Sequence, residues 1–93
     1  MSGVIEKLIS NKDSSEAKSY LIGLERGRAW AQDYADYYEM REWSEIEVEE
    51  LDELALPPDE KEFFKVIRAE TPLHWRPYLR GWVQGVKEIL QEY

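Results

Sequence analysis

The apolar positions of this chain recur mostly at helical spacing. Val4, Ile5, Leu8 and Ile9 predict a short first helix that ends at Ser10-Asn11. Asp13, followed three residues on by Glu16, has the form of a capping box. From there Ala17, Tyr20/Leu21, Leu24, Ala31, Tyr34/Ala35 and Tyr38 return every three or four residues, and no proline intervenes before Pro57. The pattern predicts one long helix over 15–43. Ser44 and Glu47 form a second capping-box pair, opening a helix through Ile46, Val48, Leu51, Leu54 and Ala55. Pro57 ends it, because a proline ring displaces the preceding residue from helical geometry. Pro58 suits the first turn of the next helix, which uses Phe63, Phe64, Val66 and Ile67 and closes near Glu70-Thr71-Pro72. Pro77 starts the last helix, through Leu79, Trp82, Val86, Ile89, Leu90 and Tyr93. No segment alternates with period two for long, and no hairpin dipeptide occurs. The expected fold is all-α, a small bundle of four to five helices in a single domain over 1–93.

The long helix raises a question of size. Residues 15–43 as one rod would span ~43 Å at ~1.5 Å per residue. A compact chain of this length is only ~30 Å across, from a radius of gyration of ~12 Å. Either the rod breaks near Gly23/Gly27, or a partner covers its projecting end, most simply a second copy. That end carries Tyr34, Tyr37, Tyr38 and Trp43, large rings that favour burial, and these are the interface candidates.

Two windows match at a separation of 58 residues, Lys18-Ser19-Tyr20-Leu21-Ile22-Gly23-Leu24-Glu25-Arg26-Gly27 and Arg76-Pro77-Tyr78-Leu79-Arg80-Gly81-Trp82-Val83-Gln84-Gly85. They share basic-x-Tyr-Leu-x-Gly-x-x-x-Gly, a possible internal repeat. Glycine within a helix costs ~1 kcal/mol relative to alanine, so two such pairs need a compensating gain. Glycines four apart lie on one face, where another backbone can approach closely. Gly23, Gly27, Gly81 and Gly85 are therefore expected to contact each other, or their equivalents in a second chain, unless they merely make room for Trp30 and Trp82.

Charge narrows the function. The 93 residues hold 12 basic and 20 acidic side chains, a formal net charge of −8. Residues 1–43 sum to −2, residues 44–62 to −8 and residues 63–93 to +2, so one segment carries the imbalance. Such a band repels a phosphate backbone and attracts basic partners, which argues against direct binding to nucleic acid. Glu45, Glu49, Asp52 and Glu53 form the candidate acidic docking face. The run Glu49-Glu50-Leu51-Asp52-Glu53 resembles the first half of the metal-binding motif of MazG-type nucleotide pyrophosphohydrolases. The second half, E-x-x-D, does not follow residue 53, and a solvated helix face is the better reading.

Other chemistry is sparse. His74 is the only histidine and reads as a turn residue. Ser15-x-x-Lys18 lacks the companion motifs of serine acyl enzymes. Asp33 and Asp36 read as parts of a mixed helix face, and Trp75, Tyr78 and Trp82 as a core stripe. No catalytic, metal or cofactor site is expected. With no cysteine there is no disulfide framework or Cys-based zinc site, and a cytoplasmic setting fits best. The start of the chain does not read as a signal peptide, and no apolar run approaches a membrane span. The leading expectation is a non-catalytic interaction module, homodimeric and engaging a basic protein partner. The alternatives are a nucleic-acid-mimicking inhibitor of a DNA- or RNA-binding protein and a carboxylate-dependent metal enzyme.

Overall fold

The computed structural model describes residues 2–51 and 56–93, with side chains from Ser15 to Glu49, at Leu51 and from Leu56 onward. The described residues form four α-helices and a single 3-10 turn: α1 (Ser2–Asp33), α2 (Tyr37–Ser44), the turn (Val48–Glu50), α3 (Pro58–Glu70) and α4 (Trp75–Leu90). The fold is all-helical. Among the described residues no helix is long and apolar enough to cross a membrane.

α4 lies at the centre. Tyr78, Leu79, Gly81, Trp82, Val83, Gly85, Val86 and Ile89 are all buried, which wraps burial around most of the helix. Its entry is pinned to α1. The buried Ser19 hydroxyl donates to Ser15 O (2.8 Å) and accepts from the His74 backbone N–H (2.9 Å), and His74 is the N-cap of α4. At the other end Arg28 grips Glu88 through Nε (2.8 Å) and Nη2. Ser19 meets the start of α4 and Arg28 its end, so the two helices run parallel. A helix of 32 residues rises ~48 Å, which accounts for the 48 Å long axis of the molecule.

Several expected boundaries differ. The short helix over 4–9 and the long one over 15–43 are replaced by α1, which runs unbroken from Ser2 to Asp33. A capping pair at Asp13/Glu16 does not start a helix where no glycine or proline stops the preceding one. The expected rod also does not break at Gly23/Gly27, and instead α1 ends at Asp33. Trp30 O accepts both the Tyr34 N–H (2.9 Å) and the Ala35 N–H (3.1 Å), closing the helix. Asp36 is then extended (φ −95°, ψ 175°) and N-caps α2. Its carboxylate accepts from the Glu39 N–H at 2.9 Å, while its own N–H donates to Glu39 Oε1 at 3.1 Å. The break lets Met40 and Trp43 turn back onto α4.

Ser44 does not open a helix. It is the last residue of α2, and its hydroxyl donates to Arg41 O at 2.7 Å. Among the described residues only the 3-10 turn follows before α3. Leu54 and Ala55 of the expected helix lie outside the described residues. α3 begins at Pro58 and is stopped at Thr71, which is extended (φ −133°, ψ 127°) ahead of Pro72. α4 starts at Trp75 rather than Pro77 and ends at Leu90 rather than Tyr93, with Pro77 inside its first turn.

Candidate functional site

The four glycines of the matched windows stand at the α1–α4 crossing. A Cβ at Gly23 would overlap the carbonyl oxygen of Tyr78 and lie 2.9 Å from its carbon. A Cβ at Gly81 would overlap the carbonyl oxygen of Tyr20 and lie 2.9 Å from its carbon. One turn on, Gly27 faces the carbonyl of Trp82 and Gly85 that of Leu24. The contacts are reciprocal: Tyr20 and Tyr78 hold matching places in the two windows, as do Leu24 and Trp82. Each glycine Cα thus faces a carbonyl oxygen, the arrangement of a Cα–H···O contact. The four helical glycines leave room for this backbone approach.

Beside the crossing lies an aromatic interior. Trp30 of α1, Trp43 of α2 and Trp82 of α4 pack together, with centroids 5.0 Å apart for Trp30–Trp82 and 4.7 Å for Trp43–Trp82. Trp43 is therefore part of the interior, half-buried, and not an exposed interface ring. On the other side Phe64 of α3 packs at a tilt on Tyr78 (4.8 Å) and edge to face with Trp75 (5.3 Å). Within this layer sits Glu60, 1% exposed. Its Oε1 accepts from the Trp82 indole N–H (3.0 Å) and Arg26 Nε (3.3 Å), and its Oε2 from Arg26 Nη2 (2.6 Å). The Arg26 guanidinium also lies 4.0 Å above the Phe63 ring. This network ties α3 to α1 and α4, and Glu60 has an acceptor oxygen for every donor that reaches it. The Tyr78 hydroxyl, buried nearby, meets no hydrogen-bond partner among the described residues. Burial pushes its pKa up, the Glu60 charge adds to that rise, and Arg26 opposes it.

Glu60 went unnoticed in the sequence because it sits in an acidic run. The signal was its register: it precedes Phe63, Phe64 and Ile67 by three, four and seven residues, on the apolar stripe of α3 rather than the wet face.

The acidic face is partly answered from within. Glu49 accepts from Arg80 Nη2 (2.8 Å) and Nε (3.3 Å), and these bonds hold its carboxyl below the usual range. Arg76 donates to Val48 O. Glu45 pairs with Arg41 at 3.7 Å. The basic excess of the last third thus leans onto the acidic segment. Asp52 and Glu53 lie outside the described residues, as does the Glu50 side chain, so the resemblance at 49–53 is not assembled here.

Tyr34, Tyr37 and Tyr38 are exposed, at 70%, 44% and 76%. Tyr37 and Tyr38 meet edge to face at 5.6 Å. The same stretch holds the exposed carboxylates Asp33, Asp36, Glu39, Glu42 and Glu45, with Arg41 among them. A shallow cleft of about 340 Å³ opens between Tyr38, Arg41, Glu42 and Glu45. Asp36, which the sequence placed on a mixed helix face, is the residue that caps α2 and so starts the helix carrying Tyr37 and Tyr38.

Comparison of the chain with protein-family models, with curated proteins and with solved structures returned no match.

Proposed function

We propose that the chain is a non-catalytic protein–protein interaction module that docks a basic partner on the tyrosine–carboxylate surface of residues 33–45. The observation that carries this reading is the exposure of three large rings amid five carboxylates. Rings and carboxylates together suit arginine and lysine side chains, which gain from a ring face as well as from charge. The cleft beside Tyr38 fits one long cationic side chain, entering where Arg41 holds Glu45 only at 3.7 Å. This reading centres the docking face on 33–45 rather than on 45–53, and the engagement of Glu49 by Arg80 supports it. The reciprocal glycine contacts support reading the two windows as an internal repeat that builds the scaffold. The lack of cysteine suits a reducing, cytoplasmic setting.

The test is titration of the chain with an arginine-rich peptide, followed by fluorescence anisotropy at two salt concentrations. Tyr34→Ala with Tyr38→Ala, which leaves every charge in place, should weaken binding at both. An affinity that depends on salt alone and ignores the rings would reduce the surface to a solubilising one.

A further inference from the structure

An exposed face of α1 carries Ala17 and Leu21 in helical register, with part-buried Leu24 at its edge beside the α4 crossing and Lys18 and Glu25 along the other flank. Leu21 is 57% exposed, and these side chains line a shallow groove of about 560 Å³. Arg28, at the end of the groove, is held by Glu88. Lys18 and Glu25 form no ion pair with a described residue.

The charges on this face are self-complementary in one sense only. Lys18 and Glu25 are seven residues apart, a rise of ~10.5 Å, and stand symmetrically about the midpoint between Leu21 and Ile22. A second α1 laid antiparallel across that midpoint sets Lys18 of each copy against Glu25 of the other. It also packs Leu24 of each against Ala17 and Leu21 of its neighbour. A parallel copy would set lysine on lysine and glutamate on glutamate.

We propose that a second copy of this chain docks antiparallel on the outward face of α1, crossing at Leu21–Ile22 to form a two-fold dimer. Such a contact closes on itself, with both copies using the same patch. It goes beyond the partner reading above and uses other residues, so the dimer would present two tyrosine surfaces at once.

Sedimentation equilibrium and light scattering on the full chain test it, with circular dichroism confirming that each variant is folded. The expected result is a two-chain mass that Leu21→Asp reduces to one. Lys18→Glu and Glu25→Lys should each raise the dissociation constant by about tenfold at low salt, because two attractive surface pairs become repulsive. Mixing these two variants should restore the original affinity, since every pair across the mixed dimer is again opposite in sign, and so should the double variant K18E/E25K. A one-chain mass at all concentrations would overturn the proposal. So would a mixture no tighter than either variant alone, or a two-chain mass abolished by Tyr34→Ala with Tyr38→Ala and untouched by the charge changes. Loss of peptide binding in the tyrosine variant with the mass intact is expected, and keeps the two readings separable.

Discussion

Adding one methyl group at Gly23 or Gly81 should destabilise a helix that the same methyl would ordinarily strengthen. In an unencumbered helix Gly→Ala gains about 1 kcal/mol. Here the new Cβ would lie 2.9 Å from a backbone carbon of the facing helix and closer still to its oxygen. Optimal separations are ~3.5–4.0 Å, so the helices must part by more than about half an ångström. The obstacle is backbone held in a helix, with no rotamer to swing aside. Overpacking of this kind costs ~1–3 kcal/mol, and separating α1 from α4 also loosens Trp82 against Trp30. With the upper end of that range set against the propensity gain, each substitution should cost a net ~2 kcal/mol. A chain of this size loses ~4–8 °C in Tm per kcal/mol, which gives a fall of ~8–16 °C. Leucine at either position should cost more. Gly23→Ala and Gly81→Ala together should cost less than their sum, because helices already parted for one methyl have room for the next. Thermal melts by circular dichroism and tryptophan fluorescence read all of this. A Tm raised by either alanine would mean that propensity wins and that the close approach is wrong.

The interior supplies further expectations. Glu60→Ala leaves the Arg26 guanidinium and the Trp82 indole N–H without their acceptor, and should cost about 3–5 kcal/mol in denaturant unfolding, with Glu60→Gln losing less. Trp43→Ala should cost about 3–5 kcal/mol and shift tryptophan emission, the signature of a core ring; an unchanged midpoint would return Trp43 to the surface. Tyr78→Phe should be neutral or stabilising at pH 7, since it removes a buried hydroxyl without a partner. The native chain should lose about 1.4 kcal/mol per pH unit above the ordinary tyrosine value, 10.0, because the unfolded state ionises there while buried Tyr78 keeps its proton. The Phe variant should lose that component of the slope. The lowered pKa values of Glu49 and Glu88 act at the other extreme: their contribution is present above 4.5 and is lost as pH falls below it. Glu49→Gln with Glu88→Gln should remove that component of the acid dependence, and an unchanged pH profile would contradict both arginine pairings.

The helical class was legible, though the helix expected after Ser44 is only a 3-10 turn among the described residues, and helix ends were legible only where proline chemistry acts. Pro58 and Pro72 bound α3 as expected because a proline constrains its own backbone and that of its predecessor, whatever the rest of the fold does. Capping pairs are weaker. Asp13/Glu16, Asp36/Glu39 and Ser44/Glu47 share the same spacing, yet only Asp36/Glu39 caps a helix. A cap lowers the free energy of a start that packing already favours. Packing selects the middle pair, since turning at 34–36 delivers Met40 and Trp43 to α4. The same tertiary demand explains Trp43 and Glu60, whose burial depends on which helices meet. The tyrosines stayed on the surface even though the rod ended early.

The glycine crossing also bears on where a second chain can meet this one. Glycine faces four residues apart could have served contact between chains, but α1 and α4 use them on each other, so that side of α1 is closed. α2 and the 3-10 turn lie against α4, and α3 is fastened to α1 and α4 through Glu60. What remains of the side-chain-described part of α1 is the opposite face, where Leu21 is exposed and Lys18 and Glu25 lack ion pairs among the described residues. The size question set by the long helix therefore has a different answer from the tyrosine end: the chain turns there at Asp36, and the unanswered charges lie ten to twenty residues earlier, along the outward face of α1.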